Sequence, residues 1–486
     1  MNVLCLSAGM LAPKKADTPT SRLHLYLNYG LLGLASLLRD AGHQPRVVHG
    51  RFDEPEDVIG RSLVDGQGRA PVLLSVPSSF ALEWARRACA ELRRLEPTTR
   101  IIVGGRWVVA DDEDWIRAQL PDADEFIPGL AEDSIVNLVQ GATRTTLLRR
   151  PDRDSSLIPP LDYSLLEDFK EFQPSIEVSR GCGMKCTFCA EADEPLSAMK
   201  DPTLVADEFQ RLRVAYGSDD IHPYLEASLF RPSTEWISVF ARARDERGLR
   251  QPWRAETRVD TLSPSQIHAL SAAGLSVLDL GLESGSPTQL ERMKKATRGD
   301  VYLKRASALL RACRDAGVWA KVNVLLHPGE TPETLAETEA WLEAHRDCIK
   351  GLSVGPTILF RYGRGSLSQL AEFEAHGARV VDAGALDRDG YAHMHLGPSM
   401  PHELAETESS RIARSFMTAR DYFDLKSFSY FPRSLTWAKF EALVLAAEHA
   451  QFSFRVESPR VGPGVRSAPG GMRTETESNY AGLKGG

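Results

Sequence analysis

The 486-residue sequence has few of the features that mark membrane or nucleic-acid-binding proteins. Its longest nearly apolar run, residues 29–38, is far short of the roughly 18–20 residues that cross a bilayer. The N-terminus also lacks the basic segment of a secretory signal. Lysine and arginine form no block, and their 58 residues are outnumbered by 66 aspartates and glutamates. We therefore predict a cytoplasmic protein with neither a membrane nor a nucleic acid as its partner.

Cysteine is also scarce, and its distribution is uneven. Of seven cysteines, three fall within residues 182–189, and the other four, Cys5, Cys89, Cys313 and Cys348, are isolated. An odd number with this spacing does not suit a disulfide framework, whereas three neighbouring thiols suit a metal site in a reducing compartment. We expect the four isolated cysteines to be buried as small apolar residues.

What the sequence does contain is a regular alternation of short apolar runs with helical patterns. In residues 1–140 this alternation predicts βαβ units, a parallel sheet and a Rossmann-like domain. Gly104, Gly105 and Gly129 follow predicted strands, at the edge where such sheets bind ligands. The predicted strands are 2–6, 45–48, 71–76 and 100–103, and the predicted helices include 29–41 and 81–95.

A second alternation predicts a partial (β/α)6 barrel over residues 173–360, joined to the first domain by a proline-rich linker, 141–172. The fold class is thus α/β throughout, with the chemistry of the barrel expected where its strands end. The predicted strands are 175–178, 221–225, 252–256, 277–283, 320–326 and 352–356, and the predicted helices are 204–216, 234–247, 264–273, 301–316 and 333–345.

Two further segments follow the barrel. Residues 361–456 contain an aromatic-rich stretch, 422–437, and are interpreted as a small cap over the mouth of the barrel. For these aromatic side chains, core packing is favoured over a role as a substrate lid. Residues 457–486 consist of glycine, proline, serine and charged residues with hardly an apolar one, so they are predicted to be a disordered tail.

The most informative motif is a C-x3-C-x2-C spacing formed by Cys182, Cys186 and Cys189 directly after the first barrel strand. Three thiolates in one loop can hold an iron–sulfur cubane and leave its fourth iron without a protein ligand, which opens a coordination site. A zinc knuckle is the alternative, but it needs a fourth cysteine or histidine, and the sequence has none nearby.

The spacing, together with Phe188 before the last cysteine, resembles the radical S-adenosylmethionine (SAM) superfamily. The resemblance implies that the three cysteines bind a [4Fe-4S] cluster whose fourth iron chelates SAM, with Phe188 beside the adenine. Reductive cleavage of SAM then yields a 5′-deoxyadenosyl radical that abstracts hydrogen from a small-molecule substrate. The electron would come from a donor of the flavodoxin or ferredoxin type or from a dedicated reductase.

The ends of the later strands resemble SAM-binding elements of the same family. The resemblance assigns Glu226 to the SAM ammonium and Arg258 to the SAM carboxylate, and Glu283-Ser284 lie in a stretch similar to Gly-x-Glu-Ser-Gly-Ser. On the fifth strand, Asn323 precedes an element in which His327 replaces the usual glycine. The predicted cofactor-binding residues are therefore Phe188, Glu226, Arg258, Glu283, Ser284 and Asn323.

Residues 1–140 resemble the cobalamin-binding-like domain that precedes the barrel in one branch of this superfamily. Two departures concern the expected crevice: Gly129-Leu130-Ala131-Glu132 replaces Gly-Glu-Gly-Glu, and bulky Arg106-Trp107 follows Gly104-Gly105. Side chains at such turns take up the space that glycine leaves for a large ligand. Whether cobalamin binds is therefore open at this stage.

The compact cap and the altered crevice favour a cobalamin-free lyase, similar to the radical SAM diol dehydratases of aminoglycoside antibiotic biosynthesis. Such an enzyme abstracts hydrogen from a carbinol carbon of a polyhydroxylated, aminosugar-type metabolite and expels water, which requires acid–base groups. The candidates are His222, Tyr224 and Glu256 as catalytic residues, with Arg361 and Tyr362 binding the substrate.

The alternative is a cobalamin-dependent C-methyltransferase. RNA methylthiolation is set aside because no second cysteine cluster is present.

Overall fold

The computed structural model describes residues 1–14, 17–63, 70–142, 158–192, 194–363 and 365–457. Residues 143–157 of the predicted linker and residues 458–486 of the predicted tail lie outside this described part. Within it, the chain forms a five-stranded sheet, a six-stranded sheet and a three-stranded sheet, each with its own helices. No helix of the described residues is long and apolar enough to cross a membrane.

The first sheet is entirely parallel, with the strand order β2-β1-β3-β4-β5. This order changes direction between β1 and β3, where sheets of this type bind ligands at their carboxyl edge. Its elements are β1 (Asn2–Ser7), α1 (Tyr29–Asp40), β2 (Gln44–His49), α2 (Pro55–Ser62), β3 (Val72–Ser75), α3 (Leu82–Leu95), β4 (Ile101–Gly104), α4 (Glu113–Gln119), β5 (Glu125–Phe126) and α5 (Ile135–Val139).

Both faces of this sheet are buried, as a parallel sheet requires. Along β1, Val3 and Cys5 pack with α1 and the barrel, whereas Leu4 and Leu6 pack in a second core with α2 and α3. The two sets alternate because successive side chains of a strand point to opposite faces. The prediction that the isolated cysteines are buried is confirmed for all four.

The second sheet is also parallel, in the order β11-β10-β9-β8-β7-β6, and curves as a partial barrel without closing. The predicted α/β fold with a Rossmann-like sheet and a partial barrel is confirmed. Its elements are β6 (Ser175–Glu177), α6 (Pro202–Tyr216), β7 (Tyr224–Glu226), α7 (Thr234–Glu246), β8 (Trp253–Arg258), α8 (Pro264–Ala272), β9 (Leu275–Glu283), α9 (Pro287–Arg292), α10 (Gly299–Asp315), β10 (Trp319–Leu326), α11 (Pro332–Glu343) and β11 (Gly351–Pro356).

The barrel strands alternate between an apolar outer face and a polar inner face. In β10, Ala320 and Val322 are buried against the helices, while Lys321 and Asn323 are half-buried on the side of the lumen. In β8, Arg254 and Glu256 share the inner face in the same way. The lumen is therefore lined by charged and amide groups, which need partners or solvent.

The C-terminal region begins with the three-stranded sheet, in the order β12-β14-β13, and ends in three helices. Its first strand starts at Ile358, inside the segment predicted to be barrel. Its elements are β12 (Ile358–Phe360), α12 (Gly365–Ala375), β13 (Arg379–Val380), α13 (Ala385–Asp389), β14 (Tyr391–His395), α14 (His402–Phe416), α15 (Ala419–Ser427) and α16 (Trp437–Leu445).

The aromatic stretch of this region closes the opposite end of the barrel from the one predicted. Leu425 and Phe428 pack on Val277 near the start of β9, and Phe428 also stacks on His222, which precedes β7. These contacts lie at the amino ends of the strands. The expectation of a cap over the mouth is therefore wrong for this stretch, whereas the core packing favoured for its aromatic side chains is confirmed.

We call this aromatic stretch, residues 422–437, the floor of the barrel. A buried ion pair joins the floor to the barrel strands. Arg254 donates to both carboxylate oxygens of Asp279, at 2.5 and 2.8 Å, and to the carbonyl of Leu425 at 2.8 Å. Burial alone would raise the pKa of Asp279, but Arg254 and Lys321 hold that pKa below its usual range. Since Arg254 and Asp279 are both nearly inaccessible, each depends on the other for its charge to be tolerated.

Replacement of Arg254 tests this dependence. Arg254→Met leaves Asp279 buried with Lys321 as its remaining cationic partner at 3.3 Å, and we expect a loss of unfolding free energy on the order of 3 kcal/mol. Arg250→Met is the matched control, because Arg250 pairs with Asp245 on the surface. Urea denaturation followed by fluorescence measures both, and equal midpoints for the two variants would refute the structural role of the pair.

Candidate functional site

The three clustered cysteines lie in a well-anchored loop between β6 and α6. Within the loop, the Cys182 amide donates to the carbonyl of Glu194 at 2.8 Å. From outside it, the Met293 carbonyl accepts from the amide of Thr187 at 3.0 Å. Gly181 has a φ of +70° and packs so closely on Pro195 that a β-carbon would collide with its backbone. The loop is therefore held in one conformation, with a glycine where the turn requires it.

The three thiols do not form a preset site for a single ion. Among the described residues, the one group of three ligating side chains whose ligand atoms all lie within 4.8 Å of one another contains no cysteine. A single zinc ion, with Zn–S bonds of about 2.3 Å, would bring any two sulfurs to within about 4.6 Å. Thiolates that each bind a different iron of a cubane are not brought so close. The three thiols are therefore not preset around a single ion, and the zinc alternative gains no support from this geometry.

Positively charged side chains and hydrogen-bond donors lie around the sulfurs of the cysteine loop. The Arg258 guanidinium donates to the Cys186 sulfur at 3.6 Å, and the backbone amide of Glu191 donates to the Cys189 sulfur at 3.4 Å. Burial raises the pKa of all three thiols, while Lys295 and Arg258 act against this rise at Cys186. These donors favour the thiolate form in which cysteine binds metal.

Lys295 was not predicted, yet it lies at the centre of the site. Its ammonium is 2.9 Å from Glu283 and 5.8 Å from the ring centroid of Phe188. Lys295 follows the short helix α9 in a charged stretch, and its sequence gives no signal of burial; only the fold brings it to the cluster loop. Glu283, which has a φ of +70°, is thereby held at the carboxyl end of β9.

His327 occupies the position where the family usually has glycine. Its ring is fully buried and lies 3.0 Å from the Thr187 hydroxyl and 6.2 Å, edge to face, from Phe188. Burial lowers the pKa of His327 to about 3, so the ring is neutral at physiological pH. The histidine thus packs directly against the cluster loop and limits the movement of Phe188.

Two carboxyl groups, those of Glu226 and Glu256, face the lumen of the barrel. Glu226 accepts a hydrogen bond from the Ser175 hydroxyl at 2.8 Å, and Glu256 accepts one from Tyr224 at 3.5 Å. No ion pair to either carboxylate occurs in the part of the chain that the structure describes. Burial, reinforced by Glu256, raises the pKa of Glu226 to about 8. The site therefore favours a bound cation, which would relieve this penalty.

A solvent-accessible hollow lies inside the barrel, beside residues of the N-terminal domain. The side chain of Glu256 is solvent-exposed, yet the surrounding protein raises its pKa, as expected for a group inside a cavity. Tyr26 of the N-terminal domain is likewise 43% exposed, and burial raises its pKa to about 12. Its ring centroid is 5.3 Å from that of Tyr430 on the floor. Side chains of both domains thus share one hollow.

The other predicted lumen residues divide into two groups. Asn323 accepts from Lys321 at 2.6 Å on the inner face, and Tyr362 is half-buried near Cys189 and Arg106, which act on its pKa in opposite directions. Ser284, in contrast, is buried within its turn and hydrogen-bonds Thr338 at 3.0 Å. The structure therefore corrects the prediction for Ser284, which shapes the turn and does not face the lumen.

The catalytic prediction for His222 is also corrected. His222 lies before β7, at the amino end of the barrel, stacked 4.4 Å from Phe428 and bonded through its backbone amide to Gln173. Burial lowers its pKa to about 4. The predicted strand 221–225 began too early, and this shift placed His222 beside the chemistry. Tyr224 lies deeper in the lumen than expected and also donates to Asp279 at 3.2 Å.

Arg361 joins the C-terminal region to the N-terminal domain and does not face the lumen. Its guanidinium pairs with Asp112 at 2.6 Å, contacts Asp387, and lies 4.5 Å from the ring centroid of Trp115. These contacts occupy its donors. The prediction of substrate binding by Arg361 is therefore corrected to a structural role.

The carboxyl edge of the first sheet faces the cluster loop. Arg106, after β4, pairs with Glu191, and Glu132, after β5, pairs with Arg180 at 2.7 Å. Sequence reasoning missed both pairs, since charges so far apart along the chain give no local signal. Trp107 points the other way into the core. The tryptophan therefore does not obstruct the crevice.

At this edge, Gly104 and Gly129 border open space, whereas a β-carbon at Gly105 would collide with the backbone of Val76. A β-carbon added at Gly129 would meet no atom within 4 Å, and one added at Gly104 would meet only the Ile127 carbonyl, at 3.5 Å. Between β1 and β3, Asn28 donates to the hydroxyls of Ser7 and Ser75 at 3.0 Å each and caps α1. Gly104 and Gly129 therefore leave space for a ligand at this edge of the sheet.

Comparison with known proteins identifies the barrel. Residues 176–342 match the model of the radical SAM superfamily, so the chain contains a radical SAM domain, whose cofactors are a [4Fe-4S] cluster and SAM. An uncharacterized methyltransferase of Pyrococcus horikoshii is 21% identical over 65% of this chain and 72% of its own length. The tryptophan 2-C-methyltransferase of Streptomyces laurentii is 29% identical over 43% of this chain and 36% of its own length.

A solved structure resembles nearly the whole chain. The radical SAM methyltransferase TsrM from Kitasatospora setae, solved with cobalamin and a [4Fe-4S] cluster bound, aligns with a TM-score of 0.58 at 19% identity, covering 95% of this chain and 93% of TsrM. At this identity the likeness shows a shared fold, in which a Rossmann-like domain precedes the radical SAM barrel.

The corrected role of Arg361 is testable. We expect Arg361→Ala to lower the free energy of unfolding by about 1–2 kcal/mol, because an ion pair and a cation–π contact are lost, with no change in SAM affinity. Arg388→Ala is the control, since Arg388 forms exposed ion pairs with Asp382 and Asp389. Thermal unfolding and equilibrium dialysis with SAM measure the two properties. Weakened SAM binding at unchanged stability would contradict the structural role.

The pKa of Glu226 predicts a pH-dependent stability of the SAM-free protein. Its folded pKa is about 8, against roughly 4.3 in an unfolded chain, so between these values the folded state keeps a proton that the unfolded state has lost. Stability contributed by the protonated group is thus lost as pH rises through this window. We expect Glu226→Gln to raise the melting temperature at pH 8.5 by a few degrees and hardly at pH 5.

The control for this prediction is Glu235→Gln, which alters an exposed carboxylate on α7. Scanning fluorimetry of wild type and both variants, from pH 5 to 8.5, gives the comparison. A gain from Glu226→Gln that is the same at every pH would show that the Glu226 carboxyl is not desolvated as inferred.

Proposed function

We propose that this chain, which carries a radical SAM domain over residues 176–342, is a cobalamin-dependent methyltransferase that acts on a small molecule. The observation that carries the proposal is the tethering of the two carboxyl edges: Arg106 and Glu132 of the first sheet pair with Glu191 and Arg180 around the cluster loop. A ligand bound at the first edge would therefore adjoin one bound at the second.

In this proposal, Cys182, Cys186 and Cys189 hold the cluster and Glu226 receives the SAM ammonium. When bound, the cluster would cleave SAM reductively to give a carbon radical. With cobalamin also bound, SAM would supply a transferable methyl group. The protein's own residues do the positioning: Arg258 donates to the Cys186 sulfur, and Phe188 is packed against His327. Phe188 would then offer a fixed face to the adenine.

Cobalamin would occupy the crevice of the N-terminal domain, with Gly104 and Gly129 leaving space at its turns. Two findings support this assignment over a vestigial pocket. Trp107 is buried in the core and not in the crevice, and the cobalamin-bound methyltransferase TsrM shares the fold over most of both chains. The methyltransferase relatives point in the same direction.

The substrate would lie in the hollow, where Glu256 is exposed and hydrogen-bonded to Tyr224. A solvent-exposed carboxylate that forms no ion pair among the described residues suits a substrate that carries a basic nitrogen or a hydroxyl group. Tyr362 would border the same space on the side of Cys189. The electron donor would be a flavodoxin, a ferredoxin or a dedicated reductase.

The sequence favours dehydration of an aminosugar-type metabolite in antibiotic biosynthesis. The relatives named above do not support this reaction, because all of them are described as methyltransferases. Two of its supposed substrate and acid–base residues, Arg361 and His222, have structural roles instead. Methyl transfer is therefore the better-supported function.

The test is anaerobic reconstitution of the cluster, incubation with hydroxocobalamin, and gel filtration. We expect about one cobalamin per chain to be retained, and we expect Gly104→Leu to abolish retention because the side chain would fill the crevice. Gly60→Leu is the matched control, because a β-carbon at Gly60 on α2 meets no atom within 4 Å.

The products formed from SAM separate the two reactions. A methyltransferase leaves S-adenosylhomocysteine when the methyl group departs, so mass spectrometry should detect this product only when cobalamin is present. Formation of 5′-deoxyadenosine alone, without cobalamin retention, would overturn the proposal and restore a cobalamin-free radical enzyme.

A further inference from the structure

A second group of metal-ligating side chains lies outside the site described above. His393 of β14, His402 at the start of α14 and Glu406 one turn later present ligand atoms that all lie within 4.8 Å of one another. We call these three residues the His2Glu site. In the part of the chain that the structure describes, no other group of this size meets the same distance criterion.

The local sequence brings these side chains together. Ala392 and Met394 of β14 point into the core, so His393 points to the opposite, more accessible face. On α14, positions 402 and 406 are four residues apart and share one side of the helix. The turn between the two elements is fixed because the His402 amide donates to the His395 ring at 3.1 Å. The site is thus built on two regular elements and a short, bonded turn.

The two imidazole rings carry nitrogen atoms that the protein itself does not satisfy. The Nδ1 atoms of His393 and His402 are inaccessible to solvent and have no hydrogen-bond partner among the described residues. The ring centroids are only 4.7 Å apart. An unsatisfied buried polar atom costs about 1–3 kcal/mol, so two in adjacent rings need an explanation. A bound cation, which reorients the rings toward itself, would provide one.

We propose that the His2Glu site binds a zinc ion, with water as the fourth ligand. Two imidazoles and one carboxylate are the donor set of tetrahedral zinc sites that keep one position open. Calcium and magnesium are disfavoured because they require oxygen ligands. Copper or nickel would also bind imidazole, and the test below separates them by competition.

The position of the site indicates what the ion would do. The His393 ring lies 5.7 Å from that of Tyr391, which packs 4.5 Å from Phe80 of the N-terminal domain. Zinc would fasten β14 to the first turn of α14 directly behind this interdomain contact. Its role would therefore be to stabilise the C-terminal sheet where it meets the N-terminal domain, independently of the methyl-transfer proposal.

The experiment uses the full chain with its iron–sulfur cluster loaded, so that the cluster cysteines are occupied. After removal of loose metal with a chelator, zinc alone is titrated in competition with a chromophoric indicator. We expect one zinc per chain and a higher melting temperature with zinc. We also expect an affinity at least about tenfold weaker in His402→Gln and Glu406→Gln.

Two matched variants control for general effects of the substitutions. Glu403→Gln removes an equivalent exposed charge from the same helix, and His268→Gln removes an exposed histidine from α8. Both should bind zinc like the wild type. Equal zinc affinity in Glu403→Gln and Glu406→Gln would overturn the proposal. So would a site that binds copper or nickel but not zinc when all three are supplied at chelator-buffered concentrations.

Discussion

The structure depends on how an open, parallel barrel accommodates the charged side chains that alternation directs into its lumen. At the floor the charges are neutralised in place, since Arg254 pairs with Asp279 and Tyr430 covers them. Nearer the cluster loop, the carboxyl groups of Glu226 and Glu256 form no ion pair among the described residues, so they are available to bind ligands. The same alternation that buries the outer faces of the strands therefore creates a polar chamber, closed at the amino end and open toward the cluster loop.

The second constraint is that two parallel sheets bind their ligands at carboxyl edges, and here those edges face each other. The ion pairs of Arg106 with Glu191 and of Glu132 with Arg180 hold this orientation. Glu132, at the end of the Gly129–Glu132 turn, anchors the cluster loop from the other domain. A reaction that uses ligands of both domains becomes geometrically reasonable.

Alternating patterns and cysteine spacing were sufficient to predict both parallel sheets and the cluster loop, because these signals are local. Contacts between distant segments were not predictable in this way. Lys295 and His222 show two kinds of error in the prediction. Lys295 was missed because only the fold brings it to the site. His222 was assigned to the site wrongly because the predicted strand began too early. The position of the floor near Phe428 could likewise not be predicted, because an aromatic stretch does not indicate which end of a barrel it covers.

The central claim is that the three clustered cysteines hold an iron–sulfur cluster with a coordination site for SAM. Electron paramagnetic resonance of the reduced, reconstituted protein, with and without SAM, tests it most directly. We expect about four irons per chain and a signal that changes on addition of SAM. Both should be lost in Cys186→Ala and kept in Cys348→Ala, whose thiol is buried elsewhere. A signal indifferent to SAM, or zinc in place of iron, would contradict it.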